Sequence, residues 1–348
     1  MTRSGLELRH VRVPFGDKAG LDDVTLQVPR GERVALLGPS GVGKTSLLRA
    51  IAGLGVLSSG AVVVDGRDVG SLPPERRGVV YMHQSPSLFP HVSVLDNVAF
   101  PLEVRGVTKR AARATALELL DRVRMGFAAA RPPSTLSGGQ RHRVALARAL
   151  AAEPAVLLLD EPFASLDPEL RAEVREAVIE ILEHGNGPAV MLVTHDVDEA
   201  AGVADRLVVL LEGRVAQVGL PADLLASPRS VAVARFLGIP NLIRGMRDER
   251  GVVSCAIATF EQPGAAGPVA VVVSAGMLRI RAGQRDGPAG TVTAVLHRVA
   301  GVAVRCDVGG ESLLAVPEPG IDVAIGATVH VAVDTRALHV VDEPLDRG

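Results

Sequence analysis

Gly38-Pro39-Ser40-Gly41-Val42-Gly43-Lys44-Thr45-Ser46 fits the pattern G-x-x-x-x-G-K-[ST], and its reading decides the fold. Val34-Ala35-Leu36-Leu37 precedes it, an apolar run of strand length. Ser46-Leu47-Leu48-Arg49-Ala50-Ile51-Ala52 follows and reads as a helix. A glycine turn between a strand and a helix aims several backbone N–H groups at one phosphate. The helix N-terminus adds its dipole in the same direction. Lys44 is placed to meet the β- and γ-phosphates, and the Thr45 hydroxyl to hold Mg²⁺. An ordinary glycine-rich turn can copy the pattern, but the flanking strand and helix count against that. So does the lysine. The chain has three lysines (Lys18, Lys44, Lys109) among many arginines, and it keeps one where a point charge on a flexible stem is needed.

The length of 348 residues predicts two domains. Apolar residues make up 47% and aromatics 2%, so the cores are built from Val, Leu, Ala and Ile. A net charge of −2 argues against nucleic acid as the main partner. Two cysteines, Cys255 and Cys306, leave no disulfide framework and fit a reducing compartment. The first ten residues carry charges where a secretory leader needs an apolar core. Apolar runs such as Leu207-Val208-Val209-Leu210-Leu211 are strand-sized, well short of the ~20 residues that span a bilayer. A membrane role is expected only through a partner.

Residues 6–13 and 24–28 alternate apolar and polar, which predicts half-buried strands. Pro14-Phe15-Gly16-Asp17 reads as a turn with Phe15 at its tip, able to stack on a purine or to pack on the protein body. Strands are predicted at residues 61–64 and 79–83, the second ending at Gln84. Residues 85–150 read as a mostly helical insertion, with Ala112, Ala116, Leu120 and Val123 at helical spacing. Leu136-Ser137-Gly138-Gly139-Gln140 opens a helix that runs through Leu150. The run Ala155-Val156-Leu157-Leu158-Leu159 then ends in Asp160-Glu161. A buried strand tipped by two carboxylates suits metal-assisted attack by water. Asp160 would hold Mg²⁺, while Glu161, turned away by strand alternation, would orient or deprotonate the water. Asp167-Pro168 predicts a helix start with Asp at the N-cap. His195 follows the strand 190–193, where open α/β sheets present ligand-contacting groups; an ordinary hydrogen-bonded histidine is the other reading.

In this order, the P-loop, Gln84, LSGGQ, Asp160-Glu161, residues 165–167 and His195 resemble the nucleotide-binding subunit of an ABC transporter, over roughly residues 5–237. Kinases, GTPases and AAA+ enzymes share the P-loop but lack LSGGQ before the carboxylate strand. The resemblance implies an α/β P-loop NTPase fold (ABC ATPase) with a helical insertion at about residues 85–150, and ATP with Mg²⁺. It implies that Phe15 stacks on adenine and that Gly38, Pro39, Ser40, Gly41, Val42, Gly43, Lys44, Thr45 and Ser46 hold the phosphates. Thr45, Gln84 and Asp160 would be the metal-linked residues. Glu161, His195 and Gln84 would act in hydrolysis. Ser137, Gly138, Gly139, Gln140 and Asp167 would close on ATP held by a second copy, forming an ATP-sandwich homodimer. The stretch between Gln84 and Ala99 would receive a transmembrane permease, fed by an extracytoplasmic substrate-binding protein. The protein would then sit at the cytoplasmic face of the membrane. Some positions depart from the family pattern: His83 replaces an aromatic, His142 a glutamine, and Ala164-Ser165 the usual Ser-Ala.

A Gly/Pro boundary at residues 237–240 divides the cassette, residues 1–237, from residues 238–348. Strands read near residues 252–258, 269–273, 291–296, 302–308, 312–315, 328–333 and 338–341 predict a small all-β barrel or sandwich. It resembles the OB-like regulatory (TOBE) domain of bacterial importer ATPases, though Ser274-Ala275-Gly276-Met277 replaces the family's Arg-Pro-Glu. The favoured reading is an importer ATPase for an inorganic ion (ferric iron, molybdate or sulfate) or a polyamine. The alternative is a soluble ABC ATPase outside transport, which one cassette, no sustained heptads and no CxxC oppose.

Overall fold

A computed structural model of the chain describes residues 5–15, 18–85, 87–164, 168–182, 187–280, 287–298 and 301–345. It forms two compact units, Met1–Pro221 and Ala222–Gly348.

The first unit begins with β1 (Leu6–Phe15), β2 (Lys18–Val28), β3 (Arg33–Leu37), α1 (Lys44–Ala52), β4 (Ser59–Val64), β5 (Arg67–Asp68) and β6 (Val79–Met82). Three helices follow: α2 (Val94–Val104), α3 (Lys109–Arg122) and α4 (Gly138–Ala151). The unit ends with β7 (Val156–Asp160), α5 (Pro168–Leu182), β8 (Ala189–Val193), α6 (Val197–Val203), β9 (Arg206–Leu211) and β10 (Arg214–Gly219). An antiparallel sheet runs β2-β1-β4-β5, and a six-stranded sheet runs β10-β9-β3-β8-β7-β6. Strands β9, β3, β8, β7 and β6 are mutually parallel, and only β10 reverses. Every residue of β7 and β8 is buried. That is why they read as continuous apolar runs. Leu6 and Leu8 of the first sheet share one core with Leu36, Leu158 and Met191 of the second and with Leu47 and Ile51 of α1. Burying each such side chain contributes about 1.5–3 kcal/mol. Phe15, expected at a turn tip, instead ends β1 opposite Lys18. Among the described residues no helix is long and apolar enough to cross a membrane.

The helices between β6 and β7 are shaped by two polar devices. Ser93 caps α2, its Oγ accepting the Asp96 N–H at 3.1 Å. Pro101 lies inside α2 and offers no N–H to the Asn97 carbonyl one turn back. Asn97 itself is fully buried. Its Oδ1 accepts the Phe89 N–H at 2.8 Å, and its Nδ2 donates to the Phe89 and Ser93 carbonyls, both at 3.0 Å. One side chain thus ties the loop after β6 to α2.

The second unit carries α7 (Pro221–Ala226), α8 (Val231–Phe236), β11 (Asn241–Arg247), β12 (Val252–Cys255), β13 (Thr259–Glu261), β14 (Gly267–Val273), β15 (Arg279–Ile280), β16 (Ala289–Arg298), β17 (Gly301–Val308), β18 (Glu311–Pro317), β19 (Thr328–Ala332) and β20 (His339–Val341). A five-stranded sheet runs β13-β12-β11-β14-β20, and β15-β18-β17-β16-β19 close into a barrel. The β-rich, OB-like character expected from the strand spacing is present. The division at Pro221 comes earlier than the Gly/Pro run at residues 237–240 suggested. The reason lies in α8 and the segment before it. The Val231 N–H donates to Glu343 Oε2 at 3.0 Å, and His339 Nε2 lies 2.9 Å from the Pro228 carbonyl. Both cysteines are free, Cys306 buried and Cys255 half-buried.

Candidate functional site

Parallel register sets the site. Leu36 of β3 and Asp160 of β7 both pair with Val193 of β8, and Met82 of β6 pairs with Leu159. The four strands end nearly level. The residues that follow them (38–43, 83–85, Glu161 and 194–196) therefore leave from one carboxyl edge, where open parallel sheets bind ligands.

At β3 this edge becomes the P-loop. Gly43 is the N-cap of α1 with φ 106°, a left-handed conformation that glycine adopts without strain. A side chain there would also press on Leu21, 3.0 Å from the Cβ position. Gly38 is needed for a different reason: its Cβ would stand 2.6 Å from the Leu210 carbonyl oxygen. Pro39, Ser40 and Gly41 are exposed, Val42 and Ser46 half-buried, and Lys44 buried. Lys44 Nζ donates to the Gly38 carbonyl at 2.6 Å and the Pro39 carbonyl at 3.1 Å. Burial pushes this ammonium below the ordinary lysine value, opposed by the charges of Glu161 and Asp160.

The two carboxylates diverge for a backbone reason. Glu161 has φ 44°, an uncommon left-handed value for a residue with a side chain. Its N–H still donates to the Val193 carbonyl at 2.9 Å. Asp160, buried, accepts from Thr45 Oγ1 at 3.0 Å on Oδ1 and from Tyr81 Oη at 2.6 Å on Oδ2. Glu161 points instead toward His195, with Oε2 3.4 Å from Nδ1. The turn bearing His195 is braced from below. Thr194 Oγ1 donates to buried Glu199 at 3.0 Å and accepts the Asp196 N–H at 3.1 Å. Asp196 in turn caps α6 by accepting the Glu199 N–H at 3.0 Å.

LSGGQ occupies the N-terminus of α4. Ser137 Oγ accepts the Gln140 N–H at 3.2 Å, and Gln140 Oε1 accepts the Ser137 N–H at 3.0 Å. This capping box satisfies two donors and leaves the Gly138 and Gly139 N–H groups outside the helix ladder. Gly139 is buried. At Gly138 a Cβ would meet nothing within 4 Å, so its own chain does not require glycine there. Buried His142 lies between two carbonyls, with Nε2 2.9 Å from Gln84 O and Nδ1 3.2 Å from Gly138 O. It ties Gln84, whose side chain is exposed, to the start of α4.

The structure thus gathers residues 38–46, Asp160, Glu161 and His195 at one edge, with Gln84 on the adjoining loop. Among the described residues no hydrogen bond or ion pair joins residues 137–140 to the P-loop. The Phe15 side chain and Asp167 lie outside the described residues. Sequence reasoning passed over Tyr81, Glu199 and the position of His142. Asp196-Val197-Asp198-Glu199 does carry the D-x-x-E spacing of a helix start, which signals Glu199. Nothing in the pattern signals Tyr81 beyond its being the one tyrosine in the chain. A cation among backbone N–H groups at a helix start, two divergent carboxylates and a braced imidazole can bind a nucleotide phosphate chain and activate water against it.

Comparison with known proteins agrees with this chemistry. The ABC transporter family profile matches residues 21–164. The sulfate/thiosulfate import ATP-binding protein CysA of Burkholderia mallei is 49% identical over 254 residues, 72% of each chain. The Fe(3+) ions import ATP-binding protein FbpC of Rhizobium etli is 42% identical over 291 residues, 82% of each chain. Among solved structures, the dimeric post-hydrolysis state of the ATP-binding cassette MJ0796 bound to ADP and Pi superimposes with a TM-score of 0.54 at 30% identity. That match covers 62% of this chain and 98% of the other. The chain belongs to the ATP-binding proteins of the ABC transporter family and is an ATPase of the P-loop class.

Proposed function

We propose that the chain is the ATP-hydrolysing subunit of an ABC importer for an inorganic ion, working as a homodimer beneath a separate permease. One observation carries this reading. The carboxyl edge of the parallel sheet gathers Lys44, Thr45, Asp160, Glu161 and His195, while among the described residues no hydrogen bond or ion pair joins the LSGGQ helix start to the P-loop. The site is a half-site, and a second copy completes it. Residues 38–46 cradle the phosphates, with Lys44 as the cation on the outer two. Ser137, Gly138, Gly139 and Gln140 approach the terminal phosphate of ATP on the partner copy, with Phe15 against the base and Asp167 at the dimer seam. Glu161 takes the proton of the attacking water, His195 holds Glu161, and Gln84 reports the state of the site to the permease side.

Thr45 Oγ1 and Asp160 Oδ1, hard oxygen donors 3.0 Å apart, fit Mg²⁺. They would hold it together with phosphate oxygens, near Gln84. When bound, it neutralises charge on the phosphates.

Permease contact falls on a groove of about 390 Å³ lined by Tyr81, His83, Phe89, Phe100 and Arg148, among others. Phe89 packs edge-on against Phe100 at 5.0 Å between ring centroids, under the Arg148 guanidinium at 5.3 Å. An apolar groove with a cationic rim between β6 and α2 suits a short amphipathic helix. The assembly places the protein at the cytoplasmic face of the membrane, with a substrate-binding protein supplying solute to the permease from the far side. The barrel of the second unit serves as a TOBE-type regulatory domain. The relatives' sulfate, thiosulfate and ferric substrates support an inorganic ion as cargo. Affinity capture from solubilised membranes tests the reading: recovery of a permease is expected, and recovery of ribosomes or DNA in its place would overturn it.

A further inference from the structure

We infer that Tyr81 is a positioning residue for metal binding: its hydroxyl locks the Asp160 carboxylate so that Oδ1 stays turned toward Thr45. The inference rests on the Mg²⁺ site proposed above. Tyr81 pairs with Leu158 across the β6–β7 ladder, and Asp160 stands two residues beyond Leu158 on the same face of the sheet. A tyrosine ring spans that diagonal, and its Oη donates to Oδ2 at 2.6 Å. Thr45 holds the other oxygen at 3.0 Å. An aspartate carboxylate turns in a broad two-fold well, so one donor leaves it free to rotate and two opposed donors fix it. The ring is itself held. It is half-buried and packs edge-on against His83, with centroids 4.4 Å apart. A hydroxyl that bonds a metal-holding carboxylate without touching the metal sets how readily that carboxylate binds.

The test compares the full chain with Tyr81→Phe, which keeps the ring and removes the hydroxyl. Mn²⁺ is titrated into protein loaded with a non-hydrolysable ATP analogue and followed by electron paramagnetic resonance. The same analogue is titrated in EDTA. Tyr81→Phe is expected to weaken Mn²⁺ by about tenfold while leaving metal-free nucleotide affinity unchanged. Equal Mn²⁺ affinity, or equal losses with and without metal, would overturn the inference. Because Tyr81 is the sole tyrosine, a fluorotyrosine-labelled wild-type chain gives one fluorine resonance and a readout that needs no variant. That resonance should shift when Mg²⁺ joins bound nucleotide, and an unmoved resonance would also overturn the inference. A wild-type chain that binds neither nucleotide nor Mn²⁺ would instead remove the phosphate-site reading beneath it.

Discussion

Lys44 shows what one side chain can do at the start of a helix. Its ammonium is buried, held by two carbonyls of its own loop, and faced by Asp160 and Glu161. Lys44 is the one lysine within the motif, so its replacement removes that ammonium from the loop. Lys44→Ala is expected to lower ATP turnover by about a hundredfold or more, and near-wild-type turnover in a steady-state assay would contradict the phosphate site. Glu199 acts at one remove. It is buried, accepts from Thr194 and pairs with Arg171 at 3.3 Å, so its loss leaves two polar partners and frees the turn that carries His195. Glu199→Ala should destabilise the fold by about 1–3 kcal/mol. It should also cut turnover while nucleotide affinity holds, which chemical denaturation and paired binding and hydrolysis assays measure. A kcat equal to wild type would separate Glu199 from His195.

Among the elements, α4 separates folding from function. Gly138 lies in its first turn, at a backbone angle open to any residue and with empty space around its Cβ position. Gly138→Ala should therefore leave the fold intact and raise the melting temperature slightly, because alanine favours a helix by up to about 1 kcal/mol over glycine. Its hydrolysis should fall, because in the proposed dimer a methyl group would stand where the partner's phosphate approaches. Unchanged turnover would remove Gly138 from the shared site. Asn97 has the opposite character. Asn97→Ala strips the partners from the Phe89 N–H and carbonyl and should cost about 1–3 kcal/mol, read as a lower denaturation midpoint.

These elements also mark where sequence reading works and where it stops. The buried runs ending at Leu37, Asp160 and Val193, and the helical spacing of Ala112, Ala116 and Leu120, were legible because parallel strands and amphipathic helices leave simple periods. β11 was not. It opens on buried Asn241, which bonds both the N–H and the carbonyl of Leu314 at 2.7 and 2.9 Å, and it ends on buried Arg247, so polar partners hide its strand pattern. β15 spans only Arg279–Ile280, too short to carry a period. At the site, the P-loop, Asp160, Glu161 and His195 were legible by type and order. Tyr81 and His142 were not, because their partners lie on other strands and helices and no spacing along the chain encodes them.

For the whole molecule, the fold brings the catalytic edge together from strands far apart in sequence, yet leaves the LSGGQ helix start unbonded to it among the described residues. On the proposed reading, a second copy supplies the LSGGQ helix start and finishes the site. Nucleotide then favours the closed pair over separate chains. Glu161→Gln tests this most directly. It keeps the P-loop, Thr45 and Asp160 but removes the carboxylate proposed to take the water's proton. Size-exclusion chromatography of this variant with ATP and Mg²⁺ should give a dimer that reverts to monomer when the nucleotide is removed. A variant that binds ATP and elutes as a monomer at every protein concentration tested would contradict the shared site.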